Sequence, residues 1–149
     1  MANQTVVQKR PKPRRYKRLG YIIAIFVNIA LLVIANSILG WNVLPFLTQD
    51  FARVLPLLNI SLAATIVANV AFLLFDPNWF VALCRMMLNA VGIAVAALFL
   101  TVFPFDFSAY TGFDWALLAK VLIILGIVGS SIGVIAETVK LVRALARRT

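Results

Sequence analysis

The sequence has 149 residues, of which 63% are hydrophobic and 13% are charged, and its formal net charge is +9. A soluble domain carries about a quarter charged residues, and a globule this small cannot hide so much apolar surface. The composition therefore excludes an ordinary soluble protein and predicts an integral membrane protein.

Missing and rare residue types exclude several kinds of site. Histidine is absent and Cys84 is the only cysteine, which excludes an internal disulfide and a His-ligated haem and argues against a zinc site. The usual general base is also missing. The sequence has no paired catalytic carboxylates, nucleophile elbow or phosphate-binding loop. We therefore expect no metal, no cofactor and no enzymatic activity.

The basic residues lie at the two ends of the chain, next to apolar stretches. This placement is typical of membrane topology, whereas a nucleic-acid-binding domain would spread its charge over a folded face. We therefore expect a lipid bilayer and no nucleic acid as partner. The residues are Lys9, Arg10, Lys12, Arg14, Arg15, Lys17 and Arg18 before the first stretch, and Lys140, Arg143, Arg147 and Arg148 at the end of the last.

Residues 1–19 form a basic head with two prolines and no apolar periodicity, so we expect it to be disordered in water. Its segment Lys9–Arg18 can attract anionic lipids, or can serve only to set topology. A basic head before an apolar run with Ala35-Asn36-Ser37 also fits a signal peptide. The length of the run and the three apolar stretches after it favour an uncleaved membrane anchor.

Residues 20–142 are predicted to form an all-α membrane domain, a bundle of four transmembrane helices. Each apolar stretch reaches the ~20 residues that cross a hydrocarbon core as a helix. Pro56 is placed in the first turn of the second helix, where its missing N–H is harmless. The predicted spans are 21–39, 54–75, 79–103 and 115–142, and a basic tail follows at 143–149.

An even number of spans places both termini on one side of the membrane. That side receives the basic head and tail together with Arg85, whereas the other receives only Arg53 and Lys120. The positive-inside rule then predicts a multi-pass protein of the inner (plasma) membrane with both termini in the cytoplasm.

Polar side chains within the spans fall into two layers. At ~1.5 Å per residue, the inner layer lies at a similar depth in all four spans, and an outer layer lies nearer the opposite surface. The inner layer comprises Asn28, Asn69, Arg85 and Glu137, with Asn89 on the same face as Arg85. The outer layer comprises Asn36, Asn59, Ser61 and Lys120.

Charges inside a membrane normally find partners, so we expect Arg85 to pair with Glu137, with Asn69 or Asn28 hydrogen-bonded nearby. In the alternative, Glu137 pairs with Lys140 one turn away and Arg85 extends to the headgroups. Lys120 can similarly reach Asp114 or Asp106, or extend outward.

Small residues on the third and fourth spans predict close packing between them, because small side chains let helices approach. One stripe of the fourth span carries Gly126, Ser130, Gly133 and Glu137, with Gly129 beside it. The matching face of the third span carries Gly92 and Ala96.

Scattered polar residues of this kind either join helices or line a transport route, and they bridge the middle of the membrane only at Thr65 and Asn89. We therefore predict a non-catalytic scaffold or accessory subunit of a membrane complex, with another membrane protein or further copies of itself as partner. The alternative is a small oligomeric transporter or channel. The aromatic residues of the two outer loops are expected to anchor at the headgroups.

Overall fold

The computed structural model describes residues 14–41 and 43–146. Each of its four helices is long and apolar enough to cross a membrane, which confirms the predicted all-α architecture. The rest of the predicted head and tail, residues 1–13 and 147–149, lies outside the described residues. The helices are α1 (Arg14–Trp41), α2 (Phe51–Leu74), α3 (Asn78–Val102) and α4 (Trp115–Ala146).

The helix bounds differ most from the predicted spans at the start of α1 and the end of α4. Residues 14–19, predicted as part of a disordered head, are helical, and α4 continues four residues beyond the predicted end at position 142. Arginine and lysine are good helix formers, so the backbone keeps its helical hydrogen bonds beyond the apolar stretch. Hydropathy marks only the part of each helix that can lie in hydrocarbon.

Pro56 lies deeper in its helix than predicted, because α2 begins at Phe51. The helix starts early since the N–H groups of Phe51, Ala52 and Arg53 donate to the carbonyls of residues 48–50. Pro56 is therefore the sixth residue of α2, and the carbonyl of Ala52 lacks its i+4 donor. The prediction of a first-turn proline is wrong.

The helices pack in chain order, with α1 on α2, α2 on α3 and α3 on α4. Within the described residues, no Cα atom of α1 lies within 8 Å of one in α4. The bundle is therefore open along one side. We call the end that holds the start of α1, the end of α4 and the turn at 75–77 the terminal end, and the opposite end the loop end.

A small apolar core joins the first three helices at the terminal end. Tyr21 of α1, Phe72 of α2 and Val81 of α3 are buried together, and the rings of Tyr21 and Phe72 lie 5.4 Å apart. Phe80 adds an edge contact to Phe72 at 6.0 Å. These contacts fix α1 against α2 and α3, and among the described residues none of α4 belongs to this apolar core.

Two backbone hydrogen bonds join the two loops of the loop end. The N–H of Thr48 donates to the Pro104 carbonyl at 3.0 Å, and the N–H of Asp106 donates to the Phe46 carbonyl at 2.8 Å. They bracket an isolated antiparallel bridge between Leu47 and Phe105. The loop before α2 is thereby fixed to the loop after α3.

Phe103 turns the chain sharply out of α3. It has a left-handed backbone (φ 41°), which is uncommon for a bulky residue. Its N–H donates to the Phe99 carbonyl at 2.9 Å, and Pro104 after it is fully buried. The surrounding packing therefore holds Phe103 in this conformation and directs the following loop back towards residues 43–50.

The aromatic side chains of the loop end pack on one another as well as facing outward. Phe46 stacks on Phe107 with ring centroids 5.3 Å apart and also contacts Phe105 and Tyr110. Trp41 is exposed, as expected for a headgroup anchor. The loops thus form a small folded cap, more than the separate anchors that the sequence predicts.

Candidate functional site

A cleft of about 1150 Å³ lies at the terminal end, between the start of α1 and the end of α4. It exists because α1 and α4 do not approach each other there. Its walls mix apolar and charged side chains. The charged groups are Lys17, Asp76, Arg85, Glu137, Lys140 and Arg143.

Glu137 is the buried charge of this cleft, with 7% of its surface exposed. The ammonium of Lys140, one turn along α4, donates to Glu137 Oε1 at 2.7 Å. The nearest guanidinium nitrogen of Arg85 lies 4.0 Å from the same oxygen, too far for a hydrogen bond. The predicted Arg85–Glu137 pair is thus only a long ion pair, and the alternative partner, Lys140, makes the direct contact.

Arg85 keeps a largely accessible side chain, 45% exposed, although it lies in α3. Lys140 satisfies the carboxylate from within α4, so the guanidinium is not held in a two-pronged contact with Glu137. Arg85 thus remains able to donate to another group in the cleft.

The two amides predicted for the inner layer behave differently. Asn69 is buried in α2 and lines the cleft, with its amide donating to the Thr65 carbonyl at 2.7 Å. Asn28 donates to the Ala24 carbonyl of its own helix at 2.7 Å and does not line the cleft. Of the two, only Asn69 therefore belongs to the cleft. Neither amide bonds to the Arg85–Glu137 pair as expected, because each bonds to its own backbone.

The interface between α3 and α4 uses some of the predicted small residues. A Cβ at Gly133 would lie 2.7 Å from the amide nitrogen of Asn89, and a Cβ at Gly92 would lie 3.8 Å from Ser130 Oγ. The side chain of Asn89 therefore occupies the space left by the missing Cβ of Gly133. Ala96 is half-buried farther along α3.

Gly126 and Gly129 are exposed, and a Cβ at either position would meet no atom within 4 Å among the described residues. The prediction that Gly126 belongs to the contact with α3 is wrong. The two glycines of the stripe on the loop side of Ser130 are therefore uncovered.

The outer layer is built around a reciprocal amide pair. The amides of Asn36 in α1 and Asn59 in α2 each donate to the other's oxygen at 2.9 Å. Ser61 is half-buried in α2, and its carbonyl accepts the Thr65 hydroxyl at 2.8 Å. This pair joins the two helices as the predicted interhelical hydrogen bonds would.

Lys120 does not join that layer. Its ammonium lies 4.9 Å from the centre of the Phe103 ring, a distance at which a cation is attracted to the ring face. Since α4 contacts neither α1 nor α2, Lys120 cannot extend the Asn36–Asn59 pair. The aromatic ring takes the place of the expected partners, Asp114 and Asp106.

The two polar layers are thus separate in the described structure, one joining α1 to α2 near the loop end and the other in the cleft at the terminal end. The cleft contains a paired carboxylate and several cations. The described residues contain no group of three or more residues able to hold a metal ion. A carboxylate compensated by one lysine leaves other cations of the cleft able to attract an anion.

Sequence reasoning missed that Lys17 and Arg143 line the same cleft. From the sequence, Arg143 is only a flanking charge, and Lys17 is part of the segment Lys9–Arg18 that can attract anionic lipids. Their proximity depends on the packing order of the helices, which hydropathy does not encode. The one sequence feature that points to this proximity is the presence of basic residues at the cytoplasmic ends predicted for the first and last spans.

Comparisons with known proteins add no assignment: the sequence matches no family model, and no curated protein or solved structure is significantly similar to it.

The Gly133→Ala variant should be destabilised, because its Cβ would collide with the Asn89 amide. The atom that the Cβ meets is the end of a side chain, which can shift, so we expect a cost near the lower end of the about 1–3 kcal/mol for overpacking. Thermal unfolding in detergent, followed by circular dichroism, would detect it. The matched control is Gly126→Ala, where no atom lies nearby and alanine favours the helix by up to ~1 kcal/mol. Equal loss in both variants would contradict the packing of Asn89 on Gly133.

A double-mutant cycle should reveal coupling between Asn36 and Asn59. Interhelical hydrogen bonds in membranes contribute about 0.6 kcal/mol on average and about 1.7 at most, and we expect a value in this range for the Asn36→Ala and Asn59→Ala pair. Reversible unfolding in detergent measures it. The control cycle of Asn28→Ala with Asn59→Ala should give no coupling, since Asn28 bonds within α1. Coupling of similar size in both cycles would exclude a specific pair.

Proposed function

We propose that this chain is a non-catalytic integral membrane protein that acts as a scaffold or accessory subunit of a larger membrane assembly. The observation that carries this proposal is the uncovered side of α4. Among the described helices, this 32-residue helix packs only on α3, and Gly126 and Gly129 are open on its surface. Exposed glycines next to exposed leucines let a further helix approach closely.

The orientation proposed is multi-pass in the plasma (inner) membrane, with the terminal end in the cytoplasm. Basic residues support it, since they gather at that end and the positive-inside rule relates such loops and tails to the cytoplasm. The loop end carries Arg53 and Lys120. The basic residues of the terminal end whose side chains the structure describes are Arg15, Lys17, Arg18, Arg85, Lys140 and Arg143.

A small oligomeric transporter is the second candidate, because the cleft places Glu137 beside an opening between α1 and α4. The separation of the two polar layers argues against a path through one copy. Several copies would have to line it together. The cleft therefore favours an oligomeric transporter, whereas the open face of α4 favours a complex with another membrane helix. The two proposals can be tested separately.

Photo-crosslinking from α4 in native membranes tests the scaffold proposal. A photoreactive residue at position 129 should give a discrete protein adduct, and Gly126→Leu should abolish it by blocking close approach. The matched control is the same residue at position 135, which is also exposed on α4 but about 120° away from Gly129 around the helix. Adducts to lipid alone at position 129, or equal protein adducts at both positions, would contradict a subunit role for this face.

The same proposal predicts no transport by the purified protein. Proteoliposomes containing the wild type and the Glu137→Gln variant should show the same background flux of protons, monovalent ions and organic cations. Flux above background that the Glu137→Gln change abolishes would establish the transporter candidate instead.

A further inference from the structure

We infer that the cleft at the terminal end is a binding site for the phosphate headgroup of an anionic phospholipid. Basic pockets between membrane helices on the cytoplasmic side are the usual place where such headgroups bind. The assignment of the cleft rests on the proposed cytoplasmic orientation of the terminal end, and it is independent of whether α4 docks against a partner protein.

The charges of the cleft favour an anion. Four cationic side chains line it against two carboxylates, those of Asp76 and Glu137. One cation, Lys140, is bonded to Glu137 at 2.7 Å. Neither Lys17 nor Arg143 forms an ion pair or hydrogen bond with another described side chain. The cleft therefore presents cations without internal partners.

The donors available are of the kind that bind phosphate. A guanidinium can hold two phosphate oxygens in parallel, and Arg85 and Arg143 supply one each from α3 and α4. Lys17 approaches from α1 as a point charge. The three cations come from three helices around one opening, so a single anionic group between them would be recognised from several sides.

The shape of the cleft favours a lipid over a soluble anion. Its 1150 Å³ exceeds a free phosphate and is large enough for a whole headgroup, since small-molecule pockets are typically about 300–1,000 Å³. Its lining also includes the side chains of Tyr21, Ala24 and Val81, against which acyl chains can lie. Because α1 and α4 stay apart, a lipid can enter sideways from the bilayer.

Trp79 lines the cleft and provides a direct probe. Replacing Trp41 and Trp115 by phenylalanine leaves it as the sole tryptophan of the three in the chain. Quenching of Trp79 by acyl-brominated phosphatidylglycerol, compared with brominated phosphatidylcholine in vesicles, then measures the relative affinity for anionic lipid. We expect a preference for phosphatidylglycerol.

Removal of the cleft cations should reduce the preference for phosphatidylglycerol about fivefold for each charge removed. This factor corresponds to the contribution of one basic residue near an anionic membrane surface. The test variant is Lys17→Gln with Arg143→Gln. The matched control is Arg15→Gln with Arg18→Gln, which removes the same charge from exposed residues of the same end that do not line the cleft. An equal reduction in both variants would show diffuse attraction and overturn the site.

Two further arms make the result decisive. Glu137→Gln releases Lys140 and should increase the preference for phosphatidylglycerol, whereas a decrease in a variant of unchanged helicity would contradict the inference. Sodium phosphate should have no more effect than sodium chloride of the same ionic strength. Specific displacement by phosphate would identify a soluble-anion pocket and overturn the lipid assignment.

Discussion

A buried carboxylate in a membrane helix is the constraint on which the terminal end depends. An unpaired charge in hydrocarbon is costly, and Glu137 is almost fully buried. Lys140, on the same helix, supplies the compensating charge, with its ammonium 2.7 Å from Glu137 Oε1. Because the charge is compensated within α4, no strong bond has to draw α1 or α3 towards it. The cleft can therefore stay open and keep Arg85 accessible.

The helices are held together by different kinds of contact at the two ends of the molecule. At the loop end, the loops are tied by backbone hydrogen bonds, and a reciprocal amide pair joins Asn36 to Asn59. At the terminal end, apolar contacts around Phe72 hold α1, α2 and α3, and α3 is the one described helix on which α4 packs. We therefore interpret the loop end as the structural part of the molecule and the terminal end as the part that is accessible to other molecules.

Much of this architecture could be predicted from the sequence, because its cause is local. Hydropathy and length identify four helices, and the small residues Gly92 and Gly133 predict the close approach of α3 and α4. The depth estimate placed Asn36 and Asn59 in one layer. Each of these inferences needs only the helix repeat and the thickness of a bilayer.

Other features could not be predicted, because they depend on tertiary geometry. The sequence offers Glu137 two cations, and only the position of α3 decides that Lys140 lies closer than Arg85. Lys120 meets the ring of Phe103, and Phe103 has a left-handed backbone where the chain leaves α3. The cleft exists because the helices pack in chain order and α1 does not meet α4. The positions of the apolar stretches in the sequence do not determine this packing order.

Disulfide trapping in a background without Cys84 tests the open cleft most directly, because a disulfide needs Cα atoms about 4.4–6.8 Å apart. The pair Gly92→Cys and Ser130→Cys lies in the close α3–α4 contact and should cross-link readily in membranes. The pair Gly20→Cys and Ala144→Cys faces across the cleft and should remain reduced. Efficient cross-linking of the second pair would show that α1 and α4 touch, which would contradict the account.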